Sequence, residues 1–275
     1  MDWSLALVSQ GIETTIERPA AGGSWALLVP ASESERALKT LRQYHVENRD
    51  FPWRQQLPWP ETHFDWASAL WIGALMVVYW ISGQNADILN GGIMDSAKVV
   101  SGQSWRVFTA MTLHADLAHL AANLSIGIVL FGLAMGQYGT GTGLLAAYLA
   151  GAGGNVTSLL LNAKPFQGLG ASGMIMGALG LLAAQSLTAR QRAGKSLKQL
   201  LVGVVAGVML FVLFGLAPGT DMAAHLGGFV TGLIIGAVLA RLPAAWARSA
   251  KVNFASGVIF VALVTATWRL AFDHR

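Results

Sequence analysis

The chain has 275 residues, 54% hydrophobic and only 12% charged, with a mean hydropathy of +0.52. Soluble domains carry about 25% charged residues, so this composition excludes an ordinary water-soluble enzyme and points to a polytopic membrane protein with a small soluble part. The lack of cysteine excludes disulfides, thiolate metal sites and a cysteine nucleophile, and a net charge of +4 without a long basic run points to membrane topology, not to nucleic acid.

Residues 1–61 differ in kind from the rest, holding 14 of the 32 charged residues. The apolar run at 5–8 is too short for the core of a signal peptide, so the first true span is expected to direct insertion. Residues 12–18 and 25–30 read as strands around an Ala20-Ala21-Gly22-Gly23 turn. Residues 32–48 read as an amphipathic helix, with Ser32 or Ser34 as N-cap and Glu33 and Glu35 in its first turn. Its apolar stripe would be Ala37, Leu38, Leu41 and Tyr44. This is a small α/β module, followed by a linker at 51–60 that contains three prolines.

Seven apolar segments long enough to span follow, at 65–82, 113–135, 142–161, 169–187, 199–216, 222–240 and 253–272. The intervening stretch 83–107 is too polar to span, and its length marks it as functional. Orientation follows from lysine and arginine. With the N-terminus in the cytoplasm, 13 of the 18 fall on inner segments and 5 on outer ones. Seven spans then put the C-terminus outside, and Trp53, Trp59 and Trp66 anchor the first span at the inner interface.

In this topology spans two, four and six all run from outside to inside. Ser172, in Gly168-Leu169-Gly170-Ala171-Ser172-Gly173, lies near the start of span four. His225, in Ala224-His225-Leu226-Gly227-Gly228, lies at matching depth in span six, and His114, His119 and Asn123 open span two. Ionisable groups inside a bilayer are costly and by default functional. A lone serine there often bonds only its own helix, but a serine and a histidine at one level suggest a nucleophile and its base. Near this level the only acidic residues in the spans are Asp116 and Asp221, at the mouths, which favours a dyad over a triad. His119 and Asn123 share a helix face and suit either oxyanion donation or hydrogen bonding between helices. A zinc site from His114, His119 and His225 is the other use of these histidines, but no HExxH-type spacing supports it. Gly173 and Gly177 on span four, with Gly228, Gly232 and Gly236 on span six, form small-residue faces that let backbones approach.

Taken together, Gly170-Ala171-Ser172-Gly173, Ala224-His225 with Gly228 and Gly232, His114, His119 and Asn123, and the Trp105-Arg106 pair resemble the rhomboid intramembrane serine proteases. The resemblance covers roughly residues 65–241. It implies an all-α, six-helix membrane core of bacterial type (62–241), here joined to the N-terminal α/β module and to one extra C-terminal span (242–275). It further implies Ser172 as nucleophile and His225 as base, with His119, Asn123 and the Ser172 amide as oxyanion donors. Trp105 and Arg106 would order the first loop. Otherwise they read as an interfacial aromatic and a snorkelling cation, and His114, Gly170, Gly173, Met176, Gly228 and Gly232 would be supporting residues. Substrates would be single-pass membrane proteins cut near the outer face of the bacterial inner membrane, with no cofactor, metal or nucleic acid. Span five would serve as, or beside, a lateral gate. Many members carry tyrosine or phenylalanine four residues after the serine; Met176 stands there and is expected to hold the histidine ring less firmly, on its edge. Two other readings are an inactive relative that binds membrane clients and a small transporter, the latter disfavoured by the lack of an evident inverted repeat.

Overall fold

In the computed structural model the described residues are 2–18, 25–48, 63–192, 220–243 and 249–274. The Ala20–Gly23 turn, the 51–60 linker with Trp53 and Trp59, and the expected fifth span at 199–216 lie outside them. Contacts fall into two units, Met1–Pro60 and Glu61–Arg275.

The first unit contains α1 (Asp2–Val8), β1 (Thr15–Glu17), β2 (Ala26–Leu28) and α2 (Ser34–Glu47), the last entered through a 3-10 turn at Ala31–Glu33. The strands pair antiparallel, with Ile16 opposite Leu27. Helix α1 is not visible as a periodic pattern because it is only seven residues long. It exists because its end folds back. Gly11 takes φ +73, a left-handed conformation suited to glycine, and the Ile12 N–H then reaches the Leu7 carbonyl at 3.0 Å. Leu7, Ile12 and Ala37 form the small core, with Leu27, Val29 and Leu41 against it. Ile12 is therefore a core residue ahead of the strand, not part of it. Two further expectations need correction. The N-cap of α2 is Glu33, with no side-chain cap from Ser32 or Ser34, and Leu38 is exposed instead of belonging to the apolar stripe.

The described residues of the second unit are mostly helical. It runs α3 (Ser68–Gln84), α4 (Ala86–Gly92), β3 (Met94–Asp95), α5 (Ser96–Val100), α6 (Arg106–Thr109), α7 (Leu117–Tyr138), α8 (Thr140–Leu161), β4 (Gln167–Gly168), α9 (Ser172–Arg192), α10 (Met222–Leu239) and α11 (Ala250–Asp273). By length and composition α7, α8, α10 and α11 suffice to cross a bilayer, while α3 and the apolar part of α9 are shorter. Six of the expected spans coincide with these helices. The start of α7 shifts from 113 to Leu117 because Asp116 caps it, its carboxylate accepting the His119 N–H at 2.7 Å.

Helices α8, α9 and α10 pack backbone to backbone. A Cβ on Gly228 would lie 2.3 Å from the Gly173 carbonyl oxygen, and one on Gly232 2.1 Å from that of Gly177. A Cβ on Gly154 of α8 would lie 2.4 Å from the Ala224 carbonyl oxygen of α10. These positions have no room for any side chain. Helix α11 packs on α8 and completes the core. Its Phe260 ring meets Trp71 and Tyr148 edge-on, each at 5.1 Å, and its Asn253 Oδ1 accepts the Gly141 and Thr142 amides at the start of α8.

The polar stretch between α3 and α7 is ordered by buried hydrogen bonds. Arg106, 4% exposed, donates from Nε to Gln103 and from Nη1 to the Asn90 and Ile93 carbonyls. Trp105 Nε1 and Thr109 Oγ1 donate to the Gly91 and Gly92 carbonyls. Strand β3 pairs with β4, Met94 opposite Gly168. There the Asp95 carboxyl is held below its ordinary range by the Gln167 side chain, with the Lys98 amide adding to it.

The glycine contacts predict opposite effects from one substitution. Gly232→Ala should destabilise the detergent-solubilised protein by about 1–3 kcal/mol through overpacking. Gly73→Ala, where a Cβ on α3 meets nothing within 4 Å, should leave stability unchanged or raise it by roughly 0.5–1 kcal/mol through helix propensity. Thermal unfolding monitored by circular dichroism compares them.

Candidate active site

Gly170 sets the entry to α9. It takes φ +124, a conformation that L side chains rarely adopt, and its N–H donates to the Ala110 carbonyl at 3.0 Å. The next amide, Ala171 N–H, reaches His114 Nε2 at 3.5 Å. His114 is 2% exposed and meets the His119 ring edge-on at 5.3 Å. Thus the segment just before Ser172 hangs on the stretch that leads into α7. Ser172 is the first residue of α9, not three residues within it, so its amide belongs to the turn in which helix N–H groups lack a carbonyl one turn back.

The His119 side chain packs against Gly170. A Cβ there would lie 2.8 Å from both His119 Nε2 and Cε1, and 3.9 Å from Ser172 Oγ. His119 and Ser172 therefore flank one empty point, open because residue 170 is glycine.

His225 is the fourth residue of α10 and 2% exposed. Asp221 caps this helix, Oδ1 accepting the Ala224 N–H at 3.0 Å, and its carbonyl accepts the His225 N–H at 3.0 Å. Ser172, Gly170, Gly173, His119 and His225 all line one cavity of about 560 Å³, with Asp116 and Asp221 at its wall. The contact between α9 at Gly173 and α10 at Gly228 is what brings the serine-bearing and histidine-bearing turns side by side.

Met176 is buried, one turn below Ser172. Gly232 lies deeper in the α9–α10 seam, and Trp105 and Arg106 lie in the ordered loop rather than at the cavity. Asn123 is buried but does not line the cavity. Its Nδ2 donates to the His119 carbonyl at 2.9 Å, and its Oδ1 is buried without a hydrogen-bond partner among the described residues. Among those residues no group of three or more histidine, aspartate or glutamate side chains could hold a metal ion.

Several lining residues, Gln167, Thr220 and Asn155 among them, carry no motif that marks them in the sequence. Asn155 of α8 lines the cavity and donates from Nδ2 to the Val107 carbonyl at 2.7 Å, tying α6 to α8. Its signal was an amide within an otherwise apolar span. Asp116 and Asp221 are the N-caps of α7 and α10 as well as lining residues, and aspartate just ahead of an apolar run is a capping signal.

A family model described as the rhomboid domain matches residues 101–242. Similar curated proteins include RHOMBOID-like protein 6, mitochondrial, of Arabidopsis thaliana, 34% identical over 55% of this chain and 49% of that protein. Another is Rhomboid protease GluP of Bacillus subtilis (strain 168), 31% identical over 62% of this chain and 32% of that protein. A third is Rhomboid-like protease 3 of Toxoplasma gondii, 31% identical over 48% of this chain and 51% of that protein. The chain thus spans about half or less of the length of these relatives.

The Gly170 geometry carries its own prediction. Gly170→Ala should cost about 1–3 kcal/mol of stability, from backbone strain and from collision with the His119 ring. Gly168→Ala, two residues earlier with open space around it, should stay within about 0.5 kcal/mol. Thermal melts of the two variants in one detergent provide the comparison.

Proposed function

Because the chain belongs to the rhomboid family and is a multi-pass integral membrane protein, we propose that it is an intramembrane serine protease working through a Ser172–His225 dyad. The observation that carries this reading is the shared cavity. Ser172 and His225 line it from two helices whose backbones touch. Ser172 Oγ attacks the carbonyl carbon of the scissile peptide bond while His225 takes the hydroxyl proton. The carbonyl oxygen becomes an oxyanion, and collapse of the tetrahedral intermediate breaks the C–N bond as His225 returns the proton to the leaving amine. Water, deprotonated by His225, then hydrolyses the acyl-enzyme. The oxyanion is received by the Ser172 amide at the start of α9, where the helix dipole favours negative charge, and by the His119 ring across Gly170. Asn123 is the third donor of this reading, through the second N–H of an amide whose first N–H is spent on its own helix; to serve, its side chain must turn toward the cavity, which it does not line here.

The substrates of this reading are transmembrane segments of single-pass proteins, cut near the outer face of a bacterial inner membrane, with the N-terminus of this chain in the cytoplasm. Residues 62–241 form the protease core and 242–275 an added span. Residues 1–61 form a docking or regulatory module.

Purified protein in detergent with a single-pass substrate tests the reading. Ser172→Ala and His225→Ala should each lower kcat by at least about 10³-fold without shifting the melting temperature. His119→Ala should lower kcat by about 10²–10³-fold, the cost of one oxyanion donor. Cleavage that persists in Ser172→Ala would sink the catalytic assignment. Cleavage absent from the unsubstituted chain across several substrates would favour an inactive relative that binds membrane clients.

A further inference from the structure

Resting on that reading, we propose that Asp221 is the positioning residue for His225. Its carboxylate clamps the first turn of α10 to the end of α8 and so fixes the height of the imidazole against Ser172.

The carboxylate has two duties. Oδ1 accepts the Ala224 N–H, as an N-cap does. Oδ2 leaves the helix and accepts a hydrogen bond from Ser158 Oγ on α8. Ser158 is 1% exposed, and its hydroxyl is satisfied in both directions, donating to Asp221 and accepting from Asn162 Nδ2 at 2.8 Å. Asn162 Nδ2 also donates to the Ser158 carbonyl at 3.0 Å. The chain Asn162–Ser158–Asp221–Ala224 is therefore a continuous network centred on the buried Ser158, with Asp221 half-buried and Asn162 exposed at its end; the group left costly by a missing partner is the Ser158 hydroxyl.

A cap alone would not position anything outside its own helix. Asp116, the cap of α7, bonds only within that helix among the described residues. Asp221 differs because its second oxygen crosses to α8, one turn of α8 away from the place where Gly154 meets the Ala224 carbonyl. Helix α10 is thus pinned to α8 at two points, a polar clamp and a glycine contact. The His225 N–H bonds the Asp221 carbonyl, so the histidine backbone is carried by the clamped turn. A displacement near 1 Å of a catalytic group can cost on the order of 10²-fold in rate, and this clamp is what resists such a displacement along α8.

The test compares the full chain with Asp221→Ala, Asp221→Asn, Ser158→Ala and the double variant Asp221→Ala/Ser158→Ala, all below their melting temperatures. Three readings are taken: the rate at which a fluorophosphonate labels Ser172, kcat and KM for a single-pass substrate, and amide hydrogen exchange over the first turn of α10. Asp221→Ala should slow labelling and lower kcat by about 10- to 10²-fold while KM stays within about twofold, with faster exchange in that turn. Asp221→Asn should recover most of the rate, because asparagine caps equally well and its amide can donate to Ser158 Oγ. Ser158→Ala keeps the cap and loses only the crossing bond, and should still slow labelling several-fold. It also serves if Asp221→Ala does not fold. The double variant should be no slower than Asp221→Ala, as expected for members of one network. Folded Asp221→Ala and Ser158→Ala with labelling rates within twofold of the unsubstituted chain overturn the proposal, as does a slowed variant with unchanged exchange in that turn. If the unsubstituted chain neither labels nor cleaves, the protease reading falls and the catalytic part of this inference with it, while the exchange data still decide whether the clamp exists.

Discussion

Backbone contact between α9 and α10 is the constraint on which the rest of the unit depends. Inside a bilayer, helices gain little from hydrophobic burial, because lipid tails are as apolar as leucine side chains. What holds them is close packing, and closeness requires small residues. The Gly228 and Gly232 positions stand 2.3 and 2.1 Å from the Gly173 and Gly177 carbonyl oxygens, measured from the Cβ each glycine lacks. Such contacts leave almost no freedom to slide. Since Ser172 is adjacent to Gly173, and His225 is three residues from Gly228, the seam that fixes the two helices also fixes the height of the two candidate catalytic residues. Gly154 and Gly151 extend the same logic to α8, which approaches both α10 and the backbone of α9 at Met174.

The second demand comes from the helix ends, whose first amides have no partner within the helix. The chain meets it with short polar side chains at the site's own level. Asp116 opens α7, Asp221 opens α10, and Gly170 and Ala171 bond across to the stretch before α7 at the entry to α9. The same residues that satisfy orphan backbone groups thereby line or border the cavity. Structural necessity and site geometry coincide here, because a helix start inside a membrane protein gathers polar groups where an apolar wall would otherwise run.

The apolar segments were legible because hydropathy over a span is a strong signal, and six of them fall on described helices. Their ends were less so: α7 begins at Leu117 rather than 113 because of a cap that a hydropathy window does not weigh. The candidate serine and histidine could be read from order and depth, since both are polar residues at the heads of apolar helices. Asn123 shows where such reading stops. Its four-residue spacing from His119 correctly places both on one helix face, yet the spacing cannot say that the amide spends a donor on the His119 carbonyl or that the cavity wall passes it by. In the N-terminal unit, α1 escaped because seven residues carry less than two turns of periodicity. Ile12 reads as a strand residue in the sequence, but its burial comes from a turn at Gly11, not from alternation.

Helix α11 looks in sequence like an addition beyond a six-helix core, and its packing gives that addition a structural role. Phe260 inserts between Trp71 of α3 and Tyr148 of α8, joining two helices of the core through a third that enters the chain last. Asn253 caps α8 from outside that helix, so the amides at its start depend on α11. At its other end Trp268 donates from Nε1 to Thr112 Oγ1 at 3.2 Å and packs against Gly92, while the His274 ring lies tilted by 36° against Trp105, centroids 5.0 Å apart. Thr112 stands two residues before His114, which receives the Ala171 amide beside Ser172. A short series of contacts therefore runs from the last helix through the ordered loop to the entry of α9. The loop is polar and lacks a hydrophobic core of its own, so its shape rests on what packs against it, and α11, which contributes no residue to the cavity lining, supports the loop from behind.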